Sequence, residues 1–324
     1  MNSKNLKLKN IYEASNRIYK IAKKTPLYKS VELSNEIDSE IYYKLEFLQN
    51  TGSFKVRGAT NFALNLDKEK RSKGLVTYST GNHGRAVSHV AKTLGTDAKV
   101  CLSENVPENK KEGIRKSGGK VIVYGESQDE AKIKAEKLNK TEERSIVPPF
   151  DDPNIITGQG TIGLELMREI PDLDSVLVPL SGGGLISGIA LAVKSINPEC
   201  KVYGISMDRG AAMYESIKAG KEVEVGEVDT IADSLQGGIL LDNKYTFDMV
   251  KNYVDEIILV TEEEIKKAMS YIFYHDHFVV EGASAVGTAA LLSNKINNSE
   301  EKRAVILTGT NISNKEFISV IKNK

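Results

Sequence analysis

Apolar and polar positions along this chain follow two alternating periods. Over residues 10–24, Ile11, Ala14, Ile18 and Ile21 recur at three- and four-residue steps, the signature of one helical face. Residues 40–46 read as a strand. Short apolar runs at 75–79, 98–102 and 120–124 follow, separated by helical stretches at 82–94, 107–116 and 127–139. Strands recurring about every 20 residues with helices between them are βαβ units, which build a parallel sheet. A second series at 175–179, 201–206, 255–260 and 304–308 repeats the arrangement. The pattern predicts an α/β protein. Residues 145–153, with Pro148, Pro149 and Pro153, cannot be helix and read as a crossover between lobes. The polar stretch 66–74 reads as the outward crossing. The chain then divides into a large domain, 1–66 plus 147–324, and a small inserted domain, 67–146.

Composition narrows the partners. A length of 324 residues suits two domains. With 40% hydrophobic and 27% charged residues, disorder is excluded. Forty-four basic side chains balance 44 acidic ones, so the basic excess of a nucleic-acid binder is missing and no such partner is expected. Cys101 and Cys200 stand alone, which speaks against a disulfide framework and for a reducing cytoplasm. The charged start lacks the apolar core of a signal peptide. The most apolar window, 176–193, is interrupted by Pro179 and a glycine cluster, so no membrane span is expected.

Four segments carry candidate chemistry. A polar turn delivers Lys55 to the start of a helical stretch, two residues before Arg57. The helix macrodipole disfavours a cation there, which lowers an amine pKa and suits a nucleophile or imine-forming lysine. A solvated surface lysine is the plainer alternative. Ser181, Gly182, Gly183, Gly184 and Leu185 lie between a strand and a helix. Free N–H groups at such a start bind anions. The run is neither G-x-G-x-x-G nor a P-loop, so a single phosphate monoester fits better than a dinucleotide; a tight turn is the alternative. Ser79, Thr80, Gly81, Asn82, His83, Gly84 and Arg85 stand where α/β sheets bind ligands, at a strand's carboxyl end. An ordinary helix cap by Ser79 or Asn82 would explain the same residues. The last segment, Thr308-Gly309-Thr310-Asn311, also follows a strand.

A lysine, a phosphate cradle and polar strand-end loops together suit pyridoxal phosphate. The chain resembles the fold-type II pyridoxal-phosphate enzymes, specifically the threonine/serine dehydratase and serine racemase family. The resemblance runs over nearly the whole sequence through ordered motifs: T-G-S-F-K-V-R-G-A, S-T-G-N-H-G, P-F-D-D-P, G-Q-G-T-I-G-L-E, S-G-G-G-L, E-G-A and T-G-T-N. In S-T-G-N-H-G-R-A-V, P-L-S-G-G-G-L and G-I-S-M-D-R-G-A-A-M it is most similar to the branch called hydroxyectoine-utilisation dehydratases. The resemblance implies a tryptophan synthase β-like fold, two doubly wound lobes with largely parallel sheets, and a homodimer.

It also implies residue roles. Lys55 would bond the cofactor as an imine and act as general base at the substrate Cα. Phe54 would pack on the cofactor ring, Asn82 would bond its phenolic oxygen, and Thr308 would meet its nitrogen. Ser181 to Leu185 would hold the phosphate, with Glu281 near the ring. The loop from Ser79 to His83 would bind the carboxylate of a small amino-acid substrate. The implied reaction is β-elimination from a β-hydroxy amino acid, L-threonine, L-serine or a hydroxyectoine breakdown product, giving a 2-oxo acid and ammonia.

Three departures from the family pattern bear on this. Thr80 stands where racemases have a serine that serves as second acid/base and many dehydratases an alanine, so a racemase using Lys55 and Thr80 is the alternative. The stiff β-methyl of threonine favours the dehydratase. The family's cation site has Ser206 and Ala212 in place of its two acids, so no metal is expected there. Ser181 replaces a glycine of the phosphate loop. His275 and His277 suit a helix end more than a metal. The chain ends with no stretch for the regulatory domain of biosynthetic threonine deaminases, so feedback through one is not expected. A non-catalytic cofactor-binding protein is the reading from another class.

Overall fold

The computed structural model describes residues 6–79, 81–296 and 301–322. The chain opens with α1 (Leu8–Ile18), β1 (Leu27–Lys29), α2 (Val31–Ile37), β2 (Glu40–Leu45), α3 (Lys55–Asn65) and α4 (Lys68–Ser72). It continues through β3 (Leu75–Thr77), α5 (Asn82–Thr93), β4 (Ala98–Leu102), α6 (Glu108–Lys116), β5 (Lys120–Val123), α7 (Gln128–Glu142) and β6 (Ser145–Ile146). Next come α8 (Pro153–Glu169), β7 (Ser175–Pro179), α9 (Gly184–Ile196), β8 (Lys201–Met207), α10 (Ala212–Ala219) and α11 (Thr246–Tyr253). The chain closes with β9 (Glu256–Val260), α12 (Glu262–Tyr271), α13 (Gly282–Leu292), β10 (Lys302–Leu307) and α14 (Asn314–Ile321).

Two sheets result. One has six strands in the order β1-β2-β10-β7-β8-β9, the other four in the order β5-β4-β3-β6. Every pairing among them is parallel except β1 with β2. The four-stranded sheet is built between Leu75 and Ile146, and all strands of the larger sheet lie outside that interval. β7 is buried at every position, which explains its unbroken apolar run: helices cover both faces of a parallel sheet.

Helix α8 sits at the centre. Pro153 occupies its first turn, and the Asp152 carboxylate caps it by accepting from the Asn154 and Ile155 N–H groups at 2.7 and 3.2 Å. Glycines let α3 and α9 close directly on its backbone. A Cβ on Gly158 would come within 2.7 Å of the Gly58 Cα, and one on Gly160 within 2.8 Å of the Gly188 carbonyl oxygen. The helices that begin with Lys55 and with the glycine loop are thereby packed against one common helix.

Two local differences from the sequence expectation have tertiary causes. The periodicity over 10–24 predicts a longer helix than α1, which stops at Ile18. Beyond it the chain turns, and the Gln49 side chain accepts from the Lys23 N–H at 2.9 Å and donates to the Lys23 carbonyl at 2.8 Å, taking up backbone groups that a longer helix would use. The crossing at 66–74 contains α4, capped by Asp67, which accepts from the Lys70 N–H. Among the described residues no helix is long and apolar enough to cross a membrane.

Candidate active site

The start of α3 is held by a buried ion network. Arg57 donates to both oxygens of Glu46 at 2.8 Å, and to those of Glu165 at 2.6 and 3.0 Å. Lys44 reaches Glu165 at 2.7 Å and donates to the Thr25 carbonyl at 2.6 Å. Burial works to raise the Glu165 pKa, but Arg57 and Lys44 outweigh it and hold the carboxyl below its ordinary value. Two positive and two negative charges cancel, so the group is tolerable inside, and it fixes the turn from which Lys55 projects.

Lys55 is half-buried. Its Nζ donates to the Pro149 carbonyl at 2.9 Å and lies 5.2 Å from the centre of the Phe54 ring. Desolvation lowers its pKa to about 8, with the Glu281 charge pulling the other way. The segment 149–152 accounts for one contact after another. Pro149 receives Lys55, and Phe150 packs where side chains on Gly182 or Gly184 would stand. The Asp151 carboxylate accepts from the N–H groups of Lys244, Tyr245 and Thr246 at 2.7 to 3.0 Å, capping α11. Gly183 has φ +85°, a conformation side-chain-bearing residues seldom adopt. Gly183 caps α9 without a side-chain bond, so the first-turn N–H groups have no intrahelical acceptor. In that turn the Ser187 hydroxyl is buried without a protein partner.

Opposite Lys55 lies the start of α5. Gly81 is the cap and makes no side-chain cap bond, so neither Ser79 nor Asn82 plays the capping role that their types allow. Asn82 is instead buried in a polar cluster. It donates to Glu281 at 2.7 Å and, more distantly, to the Ser234 hydroxyl at 3.4 Å, while its Oδ1 accepts from Asn311 at 2.5 Å. Burial raises the Glu281 pKa to about 7, and Asp233 adds to this; N–H donors from Asn82 and Asn311 oppose it. Burial, reinforced by Lys55, lowers His83 to about 3. The imidazole is therefore neutral, and Nε2 lies 3.0 Å from the Val147 carbonyl, to which it donates in that tautomer. Lys55, His83 and Glu281 are all pushed toward their uncharged forms, a concentration of perturbed groups typical of functional sites. Thr308 is buried beside Phe54, whose N–H donates to the Thr308 carbonyl at 3.1 Å. Thr80 lies outside the described residues.

Lys55, Phe54, Asn82, His83, Glu281, Thr308 and the loop from Ser181 to Leu185 thus converge from five separate stretches of chain. His275 stacks on Tyr271, with ring centroids 4.2 Å apart. Pro149, Phe150 and Asn311 belong to motifs visible in the sequence but acquire their roles only through the fold. The arrangement fits pyridoxal phosphate. A lowered lysine suits the aldehyde, and uncapped N–H groups with an orphaned hydroxyl in the same turn suit the phosphate.

Comparisons with known proteins agree. The description "pyridoxal-phosphate dependent enzyme" matches residues 18–309. A protein of Sinorhizobium fredii that carries the name of a threonine dehydratase is 47% identical over 308 residues, covering 95% of this chain and 93% of that one. The L-threonine ammonia-lyase of Thermotoga maritima is 40% identical over 305 residues, covering 94% and 75%. The structure of maize serine racemase superposes with a TM-score of 0.92 at 32% identity, covering 98% of this chain and 97% of that one.

Proposed function

The chain belongs to the family of pyridoxal-phosphate dependent enzymes, and from that membership we propose that it is an ammonia-lyase acting on small β-hydroxy amino acids. The products are a 2-oxo acid and ammonia. The observation that carries this reading is the Lys55 amine, depressed to about 8 and half-buried near Phe54, bonded to the Pro149 carbonyl while the next residue, Phe150, packs on the uncapped glycine loop. The threonine dehydratase and ammonia-lyase names of the relatives support it. L-Threonine and L-serine are the default substrates, and the motif likeness to hydroxyectoine-utilisation dehydratases adds a hydroxylated diaminobutyrate. We expect a cytoplasmic homodimer.

When bound, pyridoxal phosphate supplies an electron sink for the pair left at the substrate Cα. The chain's own residues do the rest. Lys55, uncharged above about pH 8, takes the Cα proton as general base. Ser181 to Leu185 would hold the phosphate through backbone N–H groups. Phe54 would exclude water from one ring face, and Asn82 would offer an amide N–H to the ring oxygen. The Thr308 hydroxyl would meet the ring nitrogen without the charge that would keep it protonated. Glu281 orders Asn82, while Ser79, Thr80, Gly81, Asn82 and His83 would form the seat for the substrate carboxylate.

The test is a product assay over L- and D-serine, L- and allo-threonine, 3-hydroxyaspartate and the hydroxylated diaminobutyrate. Oxo acid and ammonia should appear together and vanish in Lys55→Ala. Their absence with every substrate would sink the lyase. A second reading, an amino-acid racemase using Lys55 and Thr80 on opposite faces, rests on the likeness to serine racemase. Inversion outpacing ammonia release in the same samples would establish it instead.

A further inference from the structure

Asn82 carries a carboxamide whose two ends are nearly equal in size and opposite in hydrogen-bonding sense. Which end faces the cofactor decides whether it donates or accepts. Nothing in Asn82 itself settles that.

Its neighbours do. Arg85, one turn further along α5, donates through Nη1 to Asn311 Oδ1 at 2.7 Å. A guanidinium has donors only, so this end of Asn311 must be oxygen. The other end donates from Nδ2 to the Thr51 carbonyl at 2.9 Å, an acceptor only, so it must be nitrogen. The Asn311 amide is thus fixed from both sides, and its Nδ2 also donates to Asn82 Oδ1 at 2.5 Å. Asn82 Nδ2 is left pointing the opposite way, with one hydrogen on Glu281 Oε1 at 2.7 Å and the other meeting only the Ser234 hydroxyl at 3.4 Å. That second hydrogen is the one free to strengthen.

A separate observation shows that room is kept for Arg85. Gly113 lies inside α6, where glycine costs about 1 kcal/mol of helix stability relative to alanine. A Cβ there would overlap the Arg85 guanidinium.

We infer that Arg85 is a positioning residue: through Asn311 it sets the polarity of the Asn82 amide, so that Asn82 meets the cofactor's ring oxygen as a donor. The inference rests on the proposed contact between Asn82 and the cofactor, and the experiment separates the two. Holoenzymes of the parent, Asn82→Ala, Arg85→Met, Arg85→Lys, Gly113→Ala and Asn311→Asp are compared by the absorbance spectrum of the bound cofactor, its pH titration and the cofactor dissociation constant. Losing one oriented hydrogen bond weakens cofactor binding about tenfold. Arg85→Met and Gly113→Ala should each do so and shift the spectrum in the direction of Asn82→Ala, with Arg85→Lys restoring part of the effect. Asn311→Asp decides between polarity and mere adhesion. A carboxylate would bind Arg85 more strongly, yet it can only accept, so Asn82 must turn its amide around. If the Asn311 amide does not set the polarity of Asn82, that variant keeps the parent spectrum, and the inference is overturned. Arg85→Met that lowers the melting temperature with spectrum and affinity unchanged overturns it too. An unchanged Asn82→Ala removes the contact itself and the inference with it.

Discussion

Lys55 sets the pH behaviour expected of the cofactor-free protein. Desolvation disfavours its cation, and an amine must be uncharged to attack a carbonyl. Glu281 and His83 are the titratable neighbours that feel or exert its charge, and His83 stays neutral throughout the useful range. The rate of pyridoxal phosphate capture should therefore rise with pH through about 8 and level off above it. Stopped-flow absorbance would show this, and a rate still climbing beyond about pH 10 would mean an ordinary exposed lysine. Lys55, Asn82 and the glycine loop were legible in the sequence because each sits at a junction of strand and helix, where the local pattern itself changes. Thr308 stood in a strand-end segment with a weak signal of its own, and its role, like that of Glu281, came from family resemblance. Arg85 and Asn311 gave no signal of their partnership, since their bond joins residues 226 positions apart.

At the level of elements, periodicity located the long buried strands and the helices between them, because burial on a fixed face is written into spacing. It missed β1 and β6, three and two residues long, which exist only because a neighbouring strand is already in place. Nor does spacing reveal how closely helices approach. The contact of α8 with α9 depends on Gly188, where a Cβ would overlap the Ile156 carbonyl oxygen. Gly188→Ala improves intrinsic helix propensity yet should destabilise the protein by about 1–3 kcal/mol through overpacking. A urea midpoint equal to or above the parent's would refute this contact as a constraint.

For the whole molecule, the division at 66/67 and 146/147 is our proposal, and the two lobes it separates share a core. One apolar cluster includes Val56 and Ile155 from around the large sheet together with Leu75, Val87 and Ala98 from the small one. Pulling the lobes apart exposes that cluster, so neither should melt alone. Calorimetry should show a single transition that moves upward as pyridoxal phosphate is added, as for any ligand bound only by the folded state. Two transitions, only one of them responsive, would mean that the lobes fold independently.

The central helix has one more consequence, for tolerance. In machining, two holes drilled from the same reference edge keep their separation even when the workpiece shifts. Helices α3 and α9 are both gauged from α8, through Gly58 on Gly158 and Gly188 on Gly160. A displacement of α8, whether thermal or caused by a distant substitution, carries the amine and the anion loop with it. Their spacing accumulates error over two backbone contacts only, however far apart the residues stand in the chain.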